Sequence, residues 1–120
     1  MALRGHVTYD AFESDIQSAV FEFFAWALPP DAIAFAIPNG DGRATRMPGA
    51  LPGMPDVGIL YRGKLILIEL KRRKGVTQKH QSDLHIRLTT AGAVVVVCRS
   101  VEAVSSFLAQ IMPLRGRVAA

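Results

Sequence analysis

Two apolar runs joined by Arg62-Gly63 restrict the possible folds of this chain more than any other feature of its sequence. The runs, residues 56–61 and 64–71, have the composition of β-strands, and so short a connection predicts a tight antiparallel hairpin. Side chains alternate between the two faces of a strand, so Glu69 and Lys71 share one face at the end of the second run. Burying a lone charge is costly, so these two ionisable residues in an apolar strand indicate a specific chemical role.

Asp56 opens the first strand of this predicted hairpin. With the turn at Arg62-Gly63, Asp56 falls opposite the region of Glu69, and two carboxylates would converge with Lys71 next to them. Carboxylates this close repel, so one of them is protonated unless a cation joins the pair. A hard divalent ion such as Mg²⁺ or Mn²⁺ takes oxygen ligands and keeps several waters, one of which can become a nucleophile that Lys71 orients.

The alternative interpretation is a structural ion pair between Glu69 and Lys71 on an edge strand. Taken alone, the Glu-x-Lys pattern favours that alternative. A Met-Pro-Asp segment that ends at Asp56, at a distance compatible with the hairpin, favours a metal site instead. The sequence therefore predicts a catalytic centre built from Asp56, Glu69 and Lys71.

The remaining segments predict one α/β domain over residues 1–120, with its core at about 8–112. We expect a first helix over 8–28, capped by Thr8 or Asp10, then a strand at 32–37 and a long loop at 38–55. The hairpin is followed by a helix that Thr77 caps and that runs to about residue 90. A strand at 93–98, a helix from 101 to about 112 capped by Ser100, and a flexible tail at 113–120 complete the chain. The order α-β-β-β-α-β-α predicts a mixed β-sheet flanked by helices.

Basic residues give the chain a net charge of +4, and several of them lie near the candidate centre in the sequence. A basic surface attracts polyanions and contacts phosphates without reading a base sequence. A solvated basic face that only aids solubility is the alternative. The candidates for contact with DNA phosphates are Arg43, Arg46, Arg72, Arg73 and Lys74.

No apolar run approaches the ~20 residues that cross a bilayer, and the first residues lack the apolar region of a secretory signal. A cytoplasmic location is the resulting expectation. The lone cysteine, Cys98, follows four valines and is predicted to be a small core residue of a strand.

Several short motifs along the chain carry a family resemblance. The segments Gly53-Met54-Pro55-Asp56 and Ile68-Glu69-Leu70-Lys71, followed by Gly75 and Gln81, resemble the VRR-NUC branch of the PD-(D/E)xK nucleases. The match continues at Ile37-Pro38-Asn39-Gly40, at Ala91-Gly92 and at Ser100-Val101-Glu102, so it covers most of residues 10–110. The resemblance is to members that consist of this domain alone, as in phages and prophages, and it implies a restriction-endonuclease-like fold.

The resemblance also implies roles for individual residues. Asp56 and Glu69 would be metal ligands for Mg²⁺ or Mn²⁺, aided by the backbone carbonyl of Leu70, and Lys71 would position the attacking water. Gln81 matches a glutamine on the following helix of the family, and Glu13 matches an acidic residue on its first helix that acts in catalysis and metal binding. Asp15 or Gln17 could take the place of Glu13. Glu13 could instead be an early-helix acid that the helix dipole favours, and Gln81 could be an exposed helix former.

These observations predict a metal-dependent DNA endonuclease, and the resemblance narrows its substrate to branched DNA such as four-way junctions. A non-catalytic DNA-binding module, a nickase or flap-type nuclease, and a small interaction protein are the alternatives. A homodimer would match the two-fold symmetry of a junction. The 50% hydrophobic content and the mean hydropathy of +0.25 suit a self-complementary patch around residues 21–28, although a well-filled monomer core would also explain them. The expected location is the cytoplasm of a bacterium or of a phage-infected host cell.

Overall fold

The computed structural model describes residues 12–38 and 47–118. Within those ranges the chain forms three helices and four strands in the order α-β-β-β-α-β-α, as the sequence predicts. The elements are α1 (Glu13–Ala27), β1 (Ala32–Ala36), β2 (Val57–Tyr61), β3 (Lys64–Leu70), α2 (Lys79–Thr90), β4 (Val94–Cys98) and α3 (Val101–Ala109).

The elements fall into two compact units. One unit comprises the described residues up to Ala32, together with Leu70–Gly75 and the residues from Cys98 onward. The other comprises the described residues of Ile33–Glu69 and Val76–Val97. None of the helices in the described part of the chain has both the length and the apolar character that crossing a membrane requires.

The four strands form one sheet in the order β1-β2-β3-β4. The hairpin between β2 and β3 is antiparallel and pairs Tyr61 with Lys64 and Val57 with Ile68, so its turn is Arg62-Gly63, as predicted. Both turn residues have positive φ angles, 49° and 78°, which is the signature of a type I′ turn. This turn matches the natural twist of the strands and so fixes the register of the whole hairpin.

The inner position of β3 explains its apolar sequence. It lies between β2 and β4, and its residues from Ile66 to Leu70 are buried. After the strand ends, the Lys71 N–H donates to the Cys98 carbonyl at 3.0 Å, which places the carboxyl ends of β3 and β4 side by side. The sheet is therefore mixed, with one parallel and one antiparallel neighbour for β3.

The first helix begins later than the apolar spacing predicted. It starts at Glu13, and Phe12 is the N-cap residue, with no side-chain cap and with its own side chain 66% exposed. The caps proposed at Thr8 and Asp10 lie outside the described residues. One face of α1 is apolar and buried, and α1 packs against α3 in the same unit. The buried residues are Ile16, Ala19, Val20, Phe23, Phe24 and Ala27.

The other two helices differ from expectation at their ends. Helix α2 has Gln78 and not Thr77 as its N-cap, because Gln78 and Gln81 form a reciprocal capping box. Helix α3 is capped as predicted, since the Ser100 hydroxyl accepts a hydrogen bond from the Ala103 N–H at 3.1 Å. It ends at Ala109, a few residues before the predicted end.

The segment after α3 was expected to be a flexible tail. As far as Val118 it is instead held by two hydrogen bonds within its own unit. The Arg115 N–H donates to the Ala27 carbonyl at 2.7 Å, and the Val118 N–H donates to the buried Ser105 hydroxyl at 3.0 Å. Such backbone anchoring was invisible to a composition argument, because the acceptors lie far away in the sequence.

Candidate metal and catalytic site

Glu69 is a buried carboxylate within the sheet. Its side chain is 2% exposed, and it occupies the last but one position of β3. The Gln81 amide Nε2 donates to the Glu69 Oε2 at 3.2 Å, and the Glu69 Oε1 is buried as well. A carboxylate removed from water is stable only with hydrogen-bond donors or a positive partner, so this position favours a cation.

The Gln81 side chain links this carboxylate to the start of α2. Its Oε1 accepts a hydrogen bond from the Gln78 N–H at 2.9 Å, while its Nε2 reaches Glu69. Both ends of the amide are thus engaged, which fixes its orientation. The sequence suggested Gln81 as a site residue or as an exposed helix former, and the structure brings it to Glu69.

Gly53 allows the segment before Asp56 to approach the same helix end. Its φ is +89°, and a Cβ at this position would lie 2.9 Å from the His80 Cδ2 and 3.3 Å from the Gln81 Cα. A larger residue would therefore be strained by its backbone and would collide with α2. The glycine of the Gly-Met-Pro-Asp motif thus has a packing role beside Gln81.

Asp56 directly precedes β2, whereas the sequence predicted it as the first residue of that strand. Its N–H donates to the Ile68 carbonyl at 3.1 Å, and its carbonyl accepts from the Ile37 N–H at 2.8 Å. The ladder pairs Ile68 with Val57, so the Asp56 contact shifts the pairing by one residue at this end. Its backbone is held by the strand before it and the strand after it, which positions a half-buried carboxylate at the end of the hairpin that carries Glu69.

Lys71 follows β3 directly and is buried, with 7% of its side chain exposed. The next three residues, Arg72, Arg73 and Lys74, are exposed. The Gly75 N–H donates to the Arg72 carbonyl at 2.9 Å and closes a turn over residues 72–75, which we call the basic turn. All three basic residues of the turn are thus accessible to solvent.

Glu13 lies against the basic turn. Its Oε2 lies 3.5 Å from the backbone nitrogen of Arg72, which is a weak contact. A Cβ added to Gly75 would lie 3.2 Å from the same oxygen. Gly75 therefore leaves room for the Glu13 carboxylate. The other two candidates from α1, Asp15 and Gln17, are exposed and half-buried respectively.

Arg99 was missed by the sequence argument. Its Nη1 donates to the carbonyls of Arg72 at 2.9 Å, Arg73 at 3.2 Å and Gly75 at 2.6 Å. A basic residue directly after a strand was the only signal in the sequence, and that signal does not reveal its acceptors. Arg43 and Arg46, the other proposed phosphate contacts, lie outside the described residues.

The available donors determine which metals fit. Among the described residues, no group of three or more His, Cys, Asp or Glu side chains is arranged to hold a metal ion. The two carboxylates that the sequence predicts as ligands, Asp56 and Glu69, lie in one compact unit and offer only oxygen donors. Oxygen donors of this kind suit Mg²⁺ or Mn²⁺ and not zinc, which prefers nitrogen and sulfur. Burial raises the pKa of the Cys98 thiol to about 11, so this residue stays a protonated core side chain, as predicted.

Two solved structures share this architecture. One, described as a "VRR_NUC domain", is 23% identical, with a TM-score of 0.61, and the alignment covers 85% of this chain and 100% of that one. The chain has the VRR-NUC fold. A second structure, described as a "VRR_NUC domain protein", is 17% identical, with a TM-score of 0.66 and coverage of 83% of this chain and 87% of that one. No protein-family model and no curated protein sequence matches the chain.

The VRR-NUC fold confirms the restriction-endonuclease-like α/β architecture expected from the resemblance. Asp56, Glu69 and Gln81 lie in one compact unit of the fold, and Glu13, Lys71 and the basic turn lie in the other. The chain passes from the first group to the second between Glu69 and Leu70.

Proposed function

We propose that this protein is a metal-dependent DNA endonuclease of the PD-(D/E)xK type. The observation that carries the proposal is the buried Glu69 carboxylate, held by Gln81, on the same hairpin end as Asp56. The likeness to structures described as VRR_NUC domains supports a nuclease. A module that only binds DNA has no use for a desolvated acid at this position, since burial of the charge is a net cost.

Asp56 and Glu69, with the Leu70 carbonyl, would hold Mg²⁺ or Mn²⁺, and Glu13 is a further proposed ligand. When bound, the ion would supply Lewis acidity and a water of lowered pKa. Gln81 fixes the orientation of the Glu69 carboxylate through its hydrogen bond, as partners of metal ligands generally do.

Lys71 would act on the attacking water and on the phosphate. Its ammonium can donate a hydrogen bond to the water and hold it in line with the phosphorus atom. The water oxygen releases a proton to solvent as it forms the new P–O bond, the bond to the leaving oxygen breaks, and that oxygen takes up a proton from solvent. The positive charge of Lys71 stabilises the negative charge that builds up on the phosphate oxygens.

The surface around the candidate site favours phosphate contact over base reading. Arg72, Arg73 and Lys74 are exposed on the basic turn, and Arg43 and Arg46 are further candidates from the sequence. Such contacts fix the position of a duplex without reading its sequence. We therefore propose that binding depends strongly on salt and little on base sequence.

The narrower proposals are a homodimer and branched DNA, such as a four-way junction, as substrate. A two-fold dimer would direct two candidate sites at the two symmetric strands of a junction. The helix region around residues 21–28 supports the dimer in part, because Trp26 is 43% exposed there. The proposed location is the cytoplasm of a bacterium or of a phage-infected host cell.

The central test is incubation of the protein with a four-way junction, a flap and a linear duplex, each with Mg²⁺, Mn²⁺ or EDTA. We expect cleavage with either ion, none with EDTA, and the highest rate on the junction. No cleavage of any DNA in either ion would contradict the proposed activity. Light scattering at micromolar concentration tests the dimer, and a monomer mass with and without DNA would favour a nickase or flap-type enzyme.

A further inference from the structure

One guanidinium organises the backbone of the basic turn. The Arg99 Nη1 has two hydrogens, and three carbonyl oxygens of the turn share them, those of Arg72, Arg73 and Gly75. Arginine suits this task because its donors are rigid and permanently charged. Hydrogen bonds from a charged donor are stronger than neutral ones, so the three together outweigh any single backbone contact in the turn.

Other contacts hold the two ends of the turn. At its start, the Lys71 N–H donates to the carbonyl of Cys98, the neighbour of Arg99, and at its end the Gly75 N–H closes onto Arg72. Glu13 lies beside the turn, with its Oε2 3.5 Å from the backbone nitrogen of Arg72. In the middle of the turn, the Arg73 carbonyl accepts a hydrogen bond from Arg99 at 3.2 Å.

We propose that Arg99 is a positioning residue that holds the basic turn ready to contact DNA phosphates. This inference rests on the proposed function. An unrestrained loop with three long cationic side chains would lose backbone freedom on binding, which opposes association. Arg99 removes that loss in advance, because it binds the backbone carbonyls of the turn while the residues Arg72, Arg73 and Lys74 remain exposed to solvent.

The first test is limited trypsin digestion without DNA, since trypsin cleaves after the exposed cations of the turn. Wild type is compared with Arg99→Ala, Arg99→Lys and the control Arg87→Ala, which removes the same charge from an exposed position on α2. We expect cleavage after Arg72, Arg73 or Lys74 to be faster in Arg99→Ala by roughly ten-fold, the factor for about 1.4 kcal/mol. The cleavage rate of Arg99→Lys should lie between those of wild type and Arg99→Ala, and the cleavage rate of Arg87→Ala should match that of wild type.

The second test is kinetic and uses the same four proteins. In Arg99→Ala the KM for DNA should rise, because the free turn must be ordered on binding, while the dependence of log affinity on log salt should change little, because the bound turn contacts the same phosphates. The value of kcat and the Mg²⁺ concentration for half-maximal rate should change little. A merely structural defect would lower kcat and stability together, and Arg99→Lys would not restore KM.

The outcomes separate the two proposals. Equal digestion of Arg99→Ala and Arg87→Ala overturns the positioning role, whatever the DNA assays give. Faster digestion of the turn combined with an unchanged KM overturns it as well. Absence of cleavage by the wild-type protein contradicts the nuclease, while the digestion result still stands. If Arg99→Ala does not fold, as judged by circular dichroism, the same comparison is made with Arg99→Lys, which keeps the charge.

Discussion

The Gln81 amide donates from its Nε2 to the Glu69 Oε2 at 3.2 Å, and the same side chain caps the helix that carries it. A helix terminus and the acid of a strand are therefore joined through one residue. This link makes the orientation of the Glu69 carboxylate depend on the local structure of the α2 start.

Replacing Glu69 with Gln tests the metal-ligand role. The change keeps the shape of the side chain and removes its charge, so metal affinity and cleavage should collapse while DNA binding persists. Cleavage is measured on a junction across a Mg²⁺ titration, and binding is measured in EDTA. Cleavage at the wild-type rate would contradict the assignment of Glu69 as a metal ligand.

Replacing Gln81 with Ala tests the positioning of the acid. We expect metal affinity or activity to fall about 10- to 100-fold, as for other partners of metal ligands. The matched control is Gln78→Ala, which removes the other half of the capping box and leaves the Glu69 contact. That control should cost about 1 kcal/mol of stability and little activity. Equal losses of activity in the two variants would show that Gln81 acts as a helix cap and does not position Glu69.

Lys71→Ala should lower the cleavage rate more than the affinity for metal. The ammonium acts on water and phosphate, whereas the metal is held by oxygen donors. The measurements are single-turnover rates at saturating Mg²⁺ and the Mg²⁺ concentration for half-maximal rate. A shift in the Mg²⁺ requirement at an unchanged maximal rate would be the opposite of our expectation.

Gly53→Ala should weaken both stability and activity. The position combines a φ of +89° with close neighbours on α2, so the substitution adds strain and displaces His80 or Gln81. Gly49→Ala is the matched control, because its φ is +88° and no atom lies within 4 Å of its Cβ position. Both variants should lose about 1 kcal/mol through backbone strain, and only Gly53→Ala should lose more and also slow cleavage. Unfolding in denaturant measures the stability of both variants, and cleavage rates on DNA measure their activity.

The stability of the protein should fall at alkaline pH through Cys98. Burial raises the pKa of this thiol to about 11, so the unfolded chain releases its proton at lower pH than the folded one. The stabilisation is therefore fully present below the unfolded pKa and is lost as pH rises toward 11. Denaturation at pH 8 to 11 should show a slope of up to about 1.4 kcal/mol per pH unit that Cys98→Ala lacks. The same slope in both proteins would assign the effect to other groups.

Much of the fold could be predicted because its signals are local. The turn at Arg62-Gly63 sets the hairpin register through two adjacent residues, and the alternation of β3 places Glu69 on the same face as Leu67. Ser100 caps α3 through a residue three positions away. Asp56 directly precedes β2, but its contact with Ile68 departs from the hairpin register by one residue, which the count along the chain did not predict.

The tertiary structure alone decided which distant groups meet. Gln81 contacts Glu69 because of the rotation of α2 about its own axis. The sequence pattern restricts that rotation only loosely. Arg99 found its acceptors on backbone carbonyls, which are the same in every residue type and so leave no trace in the sequence. Local preferences determine the elements and their registers, whereas contacts between side chains and remote backbone depend on the packing of the whole chain.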